Sequence, residues 1–328
     1  MSARAQTLKP REIPSSQWND WRWQIRNASR SAGCEKVESH YPFFATPYIL
    51  RLAEKSQYIR KQVFPDNREL DAEPGAAPDP FAERTESAKT YGLKQRFPDR
   101  VLIMTSDACS MFCRHCTRKN ILHRAQVADT PERIAKCARY IKARPEIRDV
   151  LLSGGDALMN SDRRIKELME AFASMPQIDV VRVCTRMPST LPMRITPALV
   201  KILSRSKKVW VNTHFNCADE ITPEAGKACS MLVDAGIPVS CQSVLLKGVN
   251  DTPNAMLSLL KALQRIRVRP YYVFLCDPVC GISHFRVPLE KARELELAVA
   301  SHIGGLAMPK FVADIPGSKR KIPIAELL

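Results

Sequence analysis

From about residue 101 onward, apolar positions alternate between short continuous runs and helical spacing. The run Val101-Leu-Ile-Met-Thr105 predicts a buried strand, and further strands are predicted over 149–153, 180–184, 209–215, 238–246 and 270–276. Between them the period changes. Ile134, Cys137, Ala138 and Ile141 fall on one face of a helix over 131–143, and Ile165, Leu168, Met169 and Phe172 mark the next. Further helices are predicted over 196–205, 222–235, 253–265 and 288–301. Six strand–helix units in series predict a parallel sheet with right-handed crossovers, and this count suits an open (βα)6 partial barrel of the TIM type.

The flanking segments read differently. Residues 1–65 carry tryptophans at 18, 21 and 23 and helix-like stretches without strand alternation, as in a helical N-terminal extension. Residues 66–92 are rich in Pro, Ala, Asp and Glu and read as a surface linker. The barrel then covers 93–303, and 304–328 forms a C-terminal segment.

Composition narrows the class. Eleven cysteines are scattered through 328 residues, which suits a reducing cytosol better than a disulfide framework. No apolar run follows the N-terminal charges and none is long enough to span a bilayer, so a cytoplasmic protein with no membrane partner is expected. The net charge of +16 raises nucleic acid as a partner. The basic residues are spread out rather than gathered in one arm, which argues against that use.

The strongest chemical signal is Cys109-Ser-Met-Phe-Cys113-Arg-His-Cys116. Three thiolates spaced C-x₃-C-x₂-C can hold three irons of a [4Fe–4S] cluster and leave the fourth open to a small molecule. A zinc knuckle is the competing reading; it needs a fourth ligand, and His115 is poorly placed between two of the cysteines. The other strand ends are also polar. Gly154-Gly155-Asp156 follows the second strand, Thr185-Arg186 the third, His214 ends the fourth, Gln242 lies on the fifth and Asp277 follows the sixth. One such residue is easily a packing feature; six at the same end of a sheet indicate a site.

The cysteine run, Leu152-Ser-Gly-Gly-Asp-Ala-Leu158, Val211-Asn-Thr-His-Phe-Asn216, Gln242-Ser-Val-Leu-Leu-Lys-Gly-Val-Asn250 and Arg269-Pro-Tyr-Tyr with Cys276-Asp277 together resemble the lysine 2,3-aminomutase family of the radical S-adenosylmethionine superfamily. The resemblance implies an isomerase with three cofactors: a [4Fe–4S] cluster, S-adenosylmethionine and pyridoxal 5′-phosphate. It implies that the amino group of L-lysine moves to the β carbon in a radical reaction, giving β-lysine. An electron donor such as flavodoxin or ferredoxin would supply the electron, and a homo-oligomer is compatible with the family.

Residue by residue, the resemblance implies Cys109, Cys113 and Cys116 as cluster ligands and Gly154, Gly155, Asp156, His214 and Gln242 on the S-adenosylmethionine side. Arg96 and Arg100 match positions on the pyridoxal phosphate group, and Lys321 the lysine that holds the aldehyde. Arg118 matches the group that grips the substrate carboxylate, while Asp277 and Asp314 match those meeting its side-chain ammonium. The chain departs from the family in places. Only Gly317 remains of a glycine run, which makes Lys319 a rival to Lys321. Phe97 and Phe274 stand where tyrosines are usual, and Thr252 replaces a cysteine, so no structural zinc and no zinc-binding tail are expected. Other readings stay open at this point: an aminomutase for ornithine or arginine, supply of β-lysine for modifying elongation factor P, or a basic iron–sulfur protein that binds RNA or transfers electrons.

Overall fold

A computed structural model describes residues 15–83, 90, 92–122 and 130–328. Nine strands form a single sheet in chain order: β1 (Leu93–Phe97), β2 (Arg100–Ser106), β3 (Asp149–Gly154), β4 (Val180–Cys184), β5 (Val209–Thr213), β6 (Val239–Leu245), β7 (Arg269–Leu275), β8 (Lys310–Ala313) and β9 (Ile322–Pro323). Strands β2 to β8 are parallel, and β1 and β9 add antiparallel edges that do not pair with each other. The result is an open (βα)6 partial barrel, as the hydrophobic pattern predicts. Strands β1, β8 and β9 were not among the predicted elements. β1 is Leu-Lys-Gln-Arg-Phe with polar residues between its apolar ends, β8 spans four residues and β9 two, so none carries a periodic signal.

The crossover helices share a local rule. Helices Pro131–Lys142, Pro197–Leu203, Pro223–Asp234 and Pro253–Arg265 each begin with proline after a capping threonine. The threonine hydroxyl accepts an otherwise unpaired backbone N–H two residues past the proline, and proline's fixed φ suits the first helical position. Ser161 caps Asp162–Phe172 in the same way. The buried faces of these helices pack on the sheet: Ile134, Cys137 and Ile141 from one, Leu259, Leu260 and Leu263 from another. That fixes the C-terminal ends of the parallel strands β2 to β8 on the same side.

A second apolar cluster joins the N-terminal segment to this end. Ile49, Ile59 and Val63 pack with Met111 of the cysteine loop and with Leu246, Val279 and Phe285 beyond later strands. Backbone bonds tie the two together: Phe112 N–H donates to the Phe44 carbonyl at 2.8 Å and Arg114 N–H to Gln62 at 3.0 Å. The N-terminal helices therefore clamp the cysteine loop.

The surface-linker reading of 66–92 is corrected by the described part of that segment. Glu69, in a short 3₁₀ turn with a capping box at Asp66, is buried and binds Arg114 and Lys119, themselves buried. The Arg114 Nε–Glu69 Oε1 distance is 2.9 Å and Lys119 Nζ–Glu69 Oε2 is 2.6 Å. Two cations on one buried carboxylate satisfy charges that would be costly if left single. Farther on, Ala77 bridges Val279, and Phe81 and Glu83 line the central cavity. Two acids in this segment, Glu69 and Glu83, serve shielded ion pairs, while Asp71, Ala72, Pro74 and Gly75 are exposed as a surface segment would be.

Candidate active site

A cavity of about 410 Å³ opens at the C-terminal ends of the parallel strands. Cys109, Cys113 and Cys116 line it from the loop after β2, and all are free thiols. Burial pushes the Cys116 thiol up to about 11 and Cys109 well above its ordinary range, and the neighbouring sulfurs add to both. As thiolates the three would need a strongly cationic partner. A cubane asks for one thiolate per iron at separate corners, and the donor set fits that.

Arg186, at the end of β4, donates from Nη1 to Cys113 Sγ at 2.9 Å. Its Nη2 donates to Gln62 Oε1 at 2.6 Å and to Glu220 Oε2 at 3.2 Å. Asn216 extends this network, bonding Gln62 at 2.9 Å and the His115 ring at 3.2 Å. His115 Nε2 is thus taken up in the cavity wall, while its Nδ1 has no hydrogen-bond partner among the described residues.

Gly154 and Gly155 let two backbones touch. Gly155 N–H donates to the Ser106 carbonyl at 2.6 Å and Asp156 N–H to Ala108 at 2.8 Å, docking the start of the cysteine loop on β3. Gly154 has φ +113°, and a Cβ on Gly155 would strike the Ala108 carbonyl and lie 2.8 Å from the Asp107 carbonyl carbon. The close approach expected of these glycines is therefore made by the chain itself. Gly155→Ala is expected to cost about 1–3 kcal/mol of stability, as overpacking does, and to weaken cluster retention. Denaturant unfolding with an iron count per chain after reconstitution checks both.

Asp156 was expected to face the methionyl amine of S-adenosylmethionine. Its oxygens accept from Thr185 Oγ1 at 2.7 Å, Arg186 N–H at 2.7 Å and Leu158 N–H at 2.9 Å. Asp156 lines the cavity, yet its bonds organise the turn that aims Arg186. His214 and Gln242 do face the cavity. Burial, with the Arg186 charge adding to it, depresses His214 to about 3, so its ring is neutral. His214 Nε2, Thr213 Oγ1 and Arg186 Nε are buried without a hydrogen-bond partner among the described residues. Buried polar atoms of this kind normally have partners; with His115 Nδ1 there are four on residues lining one cavity, and they point to a polar occupant.

The other side of the cavity is ionic. Lys321 reaches in and bonds Asp314, while Lys319 is exposed and outside the lining. Phe97 and Phe274 flank the Lys321 amine at 5.6 and 5.4 Å from their ring centres. Burial lowers the Lys321 pKa, making the neutral amine more accessible. Asp314 also receives a fork from Arg96, at 3.0 and 3.2 Å. Arg100 lines the cavity with its fork on the neighbouring Asp99, at 2.8 and 3.2 Å. Asp277 faces the same space. Its carboxyl is raised to about 7, first by removal from bulk water and then by Asp314, against the pull of Lys321 and Arg96.

Arg118 donates to both Glu83 oxygens, at 2.6 and 2.8 Å, and its remaining nitrogen lies 3.3 Å from Ser153 Oγ and the Gly154 carbonyl. Sequence reasoning did not select Glu83; it placed Arg186 at a polar strand end and Tyr271–Tyr272 in a motif, without a thiol partner for the one or a paired geometry for the other. The last has a structural origin: β6 residues 241 and 242 pair with Pro270 and Tyr272, so Tyr271 is an extra residue in β7. That bulge brings consecutive tyrosines together on the cavity, with hydroxyls 3.3 Å apart.

Comparison with known proteins follows the same lines. The radical SAM superfamily profile matches residues 103–260. L-lysine 2,3-aminomutase of Clostridium subterminale is 41% identical over 96% of this chain and 80% of its own length. Glutamate 2,3-aminomutase of Clostridioides difficile is 32% identical over 94% of this chain and 76% of its own. In fold, Streptococcus suis SuiB superposes with a TM-score of 0.51 at 18% identity, covering 66% of this chain and 50% of that one. The cysteine loop, the open barrel and these likenesses together establish that the chain belongs to the lysine 2,3-aminomutase family of the radical SAM superfamily, whose members are isomerases.

Proposed function

We propose that the chain is a pyridoxal-phosphate-dependent radical 2,3-aminomutase that moves the α-amino group of L-lysine to its β carbon. The observation that carries this reading is one cavity holding three cysteines at one side and Lys321, Asp277 and Asp314 at the other. Superfamily membership brings a [4Fe–4S] cluster and S-adenosylmethionine, and the cysteine set fits the cluster. When bound, these supply a carbon radical that abstracts hydrogen, and pyridoxal phosphate supplies an aldehyde that carries the migrating nitrogen.

The protein's part is position and charge. Cys109, Cys113 and Cys116 would hold the cluster, with Arg186 donating to one sulfur. Gly154, Gly155 and Asp156 hold the cysteine loop in place, and His214 and Gln242 would meet S-adenosylmethionine; the unpartnered His214 Nε2 supports this. Lys321 would bond the aldehyde carbon through its neutral amine, with Asp314 accepting from it. Arg96 and Arg100 suit a phosphate, which would compete with Asp314 and Asp99 for their forks. Arg118 would bind the substrate carboxylate, and Asp277 with Asp314 its distal ammonium.

The glutamate relative defines the competing substrate. A second carboxylate would meet Asp277 and Asp314, both acidic, which supports lysine or another dibasic amino acid over glutamate. Between lysine, ornithine and arginine the difference is chain length, worth only about 1–3 kcal/mol per methylene. The test is anaerobic turnover of lysine, ornithine, arginine, glutamate and alanine by the reconstituted enzyme with an electron donor. Lysine is expected to be best; glutamate or alanine as best substrate rejects the assignment. RNA binding or electron transfer without radical chemistry would instead give no S-adenosylmethionine cleavage.

A separate measurement decides the lysine. Borohydride reduction of the pyridoxal-loaded enzyme followed by peptide mapping is expected to label Lys321 and leave Lys319 unmodified. Label on Lys319 would mean that the exposed turn, not the cavity, carries the aldehyde.

A further inference from the structure

The cavity already contains a carboxylate in the fork assigned to the substrate. Glu83 binds Arg118 through two bonds of 2.6 and 2.8 Å, with both side chains largely shielded, 12% and 16% exposed. Arg118 does not depend on Glu83 for its place. Its Nη1 lies 3.3 Å from Ser153 Oγ and the Gly154 carbonyl, which anchors the guanidinium to β3 and leaves the Nε–Nη2 edge facing a carboxylate. Glu83 is delivered by a segment that is itself fixed. Ala77 N–H bonds Pro278, Cys280 N–H bonds Ala77, Glu83 N–H bonds Asp79 Oδ1 at 2.9 Å, and Lys94 holds the Ala82 carbonyl at 2.7 Å. Between Phe81 and Glu83, both on the cavity, Ala82 adopts φ +50°, a left-handed conformation that alanine rarely takes.

We propose that Glu83 is a resident stand-in for the substrate carboxylate, occupying the Arg118 fork until an amino acid displaces it. The inference rests on the assignment of Arg118 to the substrate carboxylate. Exchange is like for like, one carboxylate for another, so the fork never remains as an unpaired buried cation. The incoming carboxylate must outcompete Glu83 and so needs help from its other anchors, the amine and the distal ammonium. Glu83 thereby acts as a specificity-determining residue. A diamine without a carboxylate leaves it seated and gains nothing at Arg118, whereas an amino acid replaces it and keeps the fork's bonds.

The test is calorimetric titration of L-lysine and of cadaverine, its carboxylate-free analogue, into the anaerobic holoenzyme and its Glu83→Ala, Glu83→Gln and Arg118→Ala variants. Removing the competitor is expected to tighten lysine about tenfold in Glu83→Ala, and by less in Glu83→Gln, which keeps one acceptor. Cadaverine is expected to stay within about twofold of wild type, because it does not use the fork. Arg118→Ala should erase the preference for lysine over cadaverine. Unchanged or weaker lysine binding in both Glu83 variants, with Arg118→Ala still erasing that preference, overturns the proposal and leaves the Arg118 assignment standing. Equal tightening of both ligands also overturns it, making Glu83 a steric plug. A lysine preference that survives Arg118→Ala removes both.

Discussion

Replacing Cys113 by alanine is expected to abolish reductive cleavage of S-adenosylmethionine while leaving the chain folded. The two halves of this result come from different parts of the structure. Folding rests on Glu69 with Arg114 and Lys119, on the Phe44–Phe112 backbone bond and on the Gly155 docking, none of which uses a cysteine sulfur. Arg186 loses Cys113 as an acceptor and keeps Gln62 and Glu220. Cleavage needs three thiolates around an open iron, and removing one ligand takes away a corner that no described residue replaces in the same loop. Cys109→Ala and Cys116→Ala should behave alike, each losing more than the roughly hundredfold that removal of an outer-shell partner can cost a metal site. Cys184 is the control. It also lines the cavity, from the end of β4, with its thiol pushed up to about 11 by burial. Cys184→Ala should retain the cluster. Anaerobic reconstitution, iron counting and quantitation of 5′-deoxyadenosine read all four variants. Near-wild-type cleavage by a Cys113, Cys109 or Cys116 variant, or loss confined to the Cys184 variant, would reject the ligand set.

The parts of this molecule that were legible in the sequence are those governed by local rules. Four of the crossover helices announce themselves by Thr-Pro, and the strands between them are apolar runs bounded by polar ends, so the six units lie close to their expected bounds. The cysteine spacing is equally local. What was not legible depends on contacts far apart in the chain. Glu69 and Glu83 lie in a segment whose Pro, Ala and acidic content resembles a solvated linker, and only the buried cations at 114, 118 and 119 make its acids structural. Arg186 is one of 50 Lys and Arg residues, and nothing near it in sequence signals a thiol partner. Asp156 was legible as a site-wall residue and not as a turn organiser, because its three donors come from two different strand ends. Spacing favoured Lys321 over Lys319, while knowing that Lys321 lines the cavity and Lys319 is exposed required the structure of the short terminal turn.

Asp277→Asn is expected to lower lysine turnover by about a thousandfold while making the fold less sensitive to pH. Asp277 shares the cavity with Asp314, but the two are not equivalent. Asp314 already receives Arg96 and Lys321, whereas no described side chain hydrogen-bonds to the Asp277 carboxyl. The carboxyl nearest to lacking a cation is the one that a substrate ammonium can pair most profitably, and losing a charge-assisted contact to a desolvated cation costs several kcal/mol. Burial and Asp314 raise Asp277 to about 7, against Lys321 and Arg96. The sign for binding follows. Below about pH 7 the free enzyme carries a neutral Asp277, so lysine affinity should fall about tenfold per unit as pH drops, and Asp277→Asn should lack that slope. The sign for stability is the reverse. A carboxyl that titrates at about 4 when unfolded and about 7 when folded keeps its proton longer in the native state, so stability should decline as pH rises from about 4 to about 7. Asparagine cannot titrate, and the variant should lose this decline. Lysine titrations from pH 6 to 9 and thermal unfolding from pH 4 to 8, on both proteins, separate a substrate-binding carboxylate from a merely structural one. A variant that unfolds at lower temperature and binds lysine with the wild-type pH slope would assign the side chain to the turn before Pro278; a variant at least as stable, with flat binding and lost turnover, assigns it to the distal ammonium.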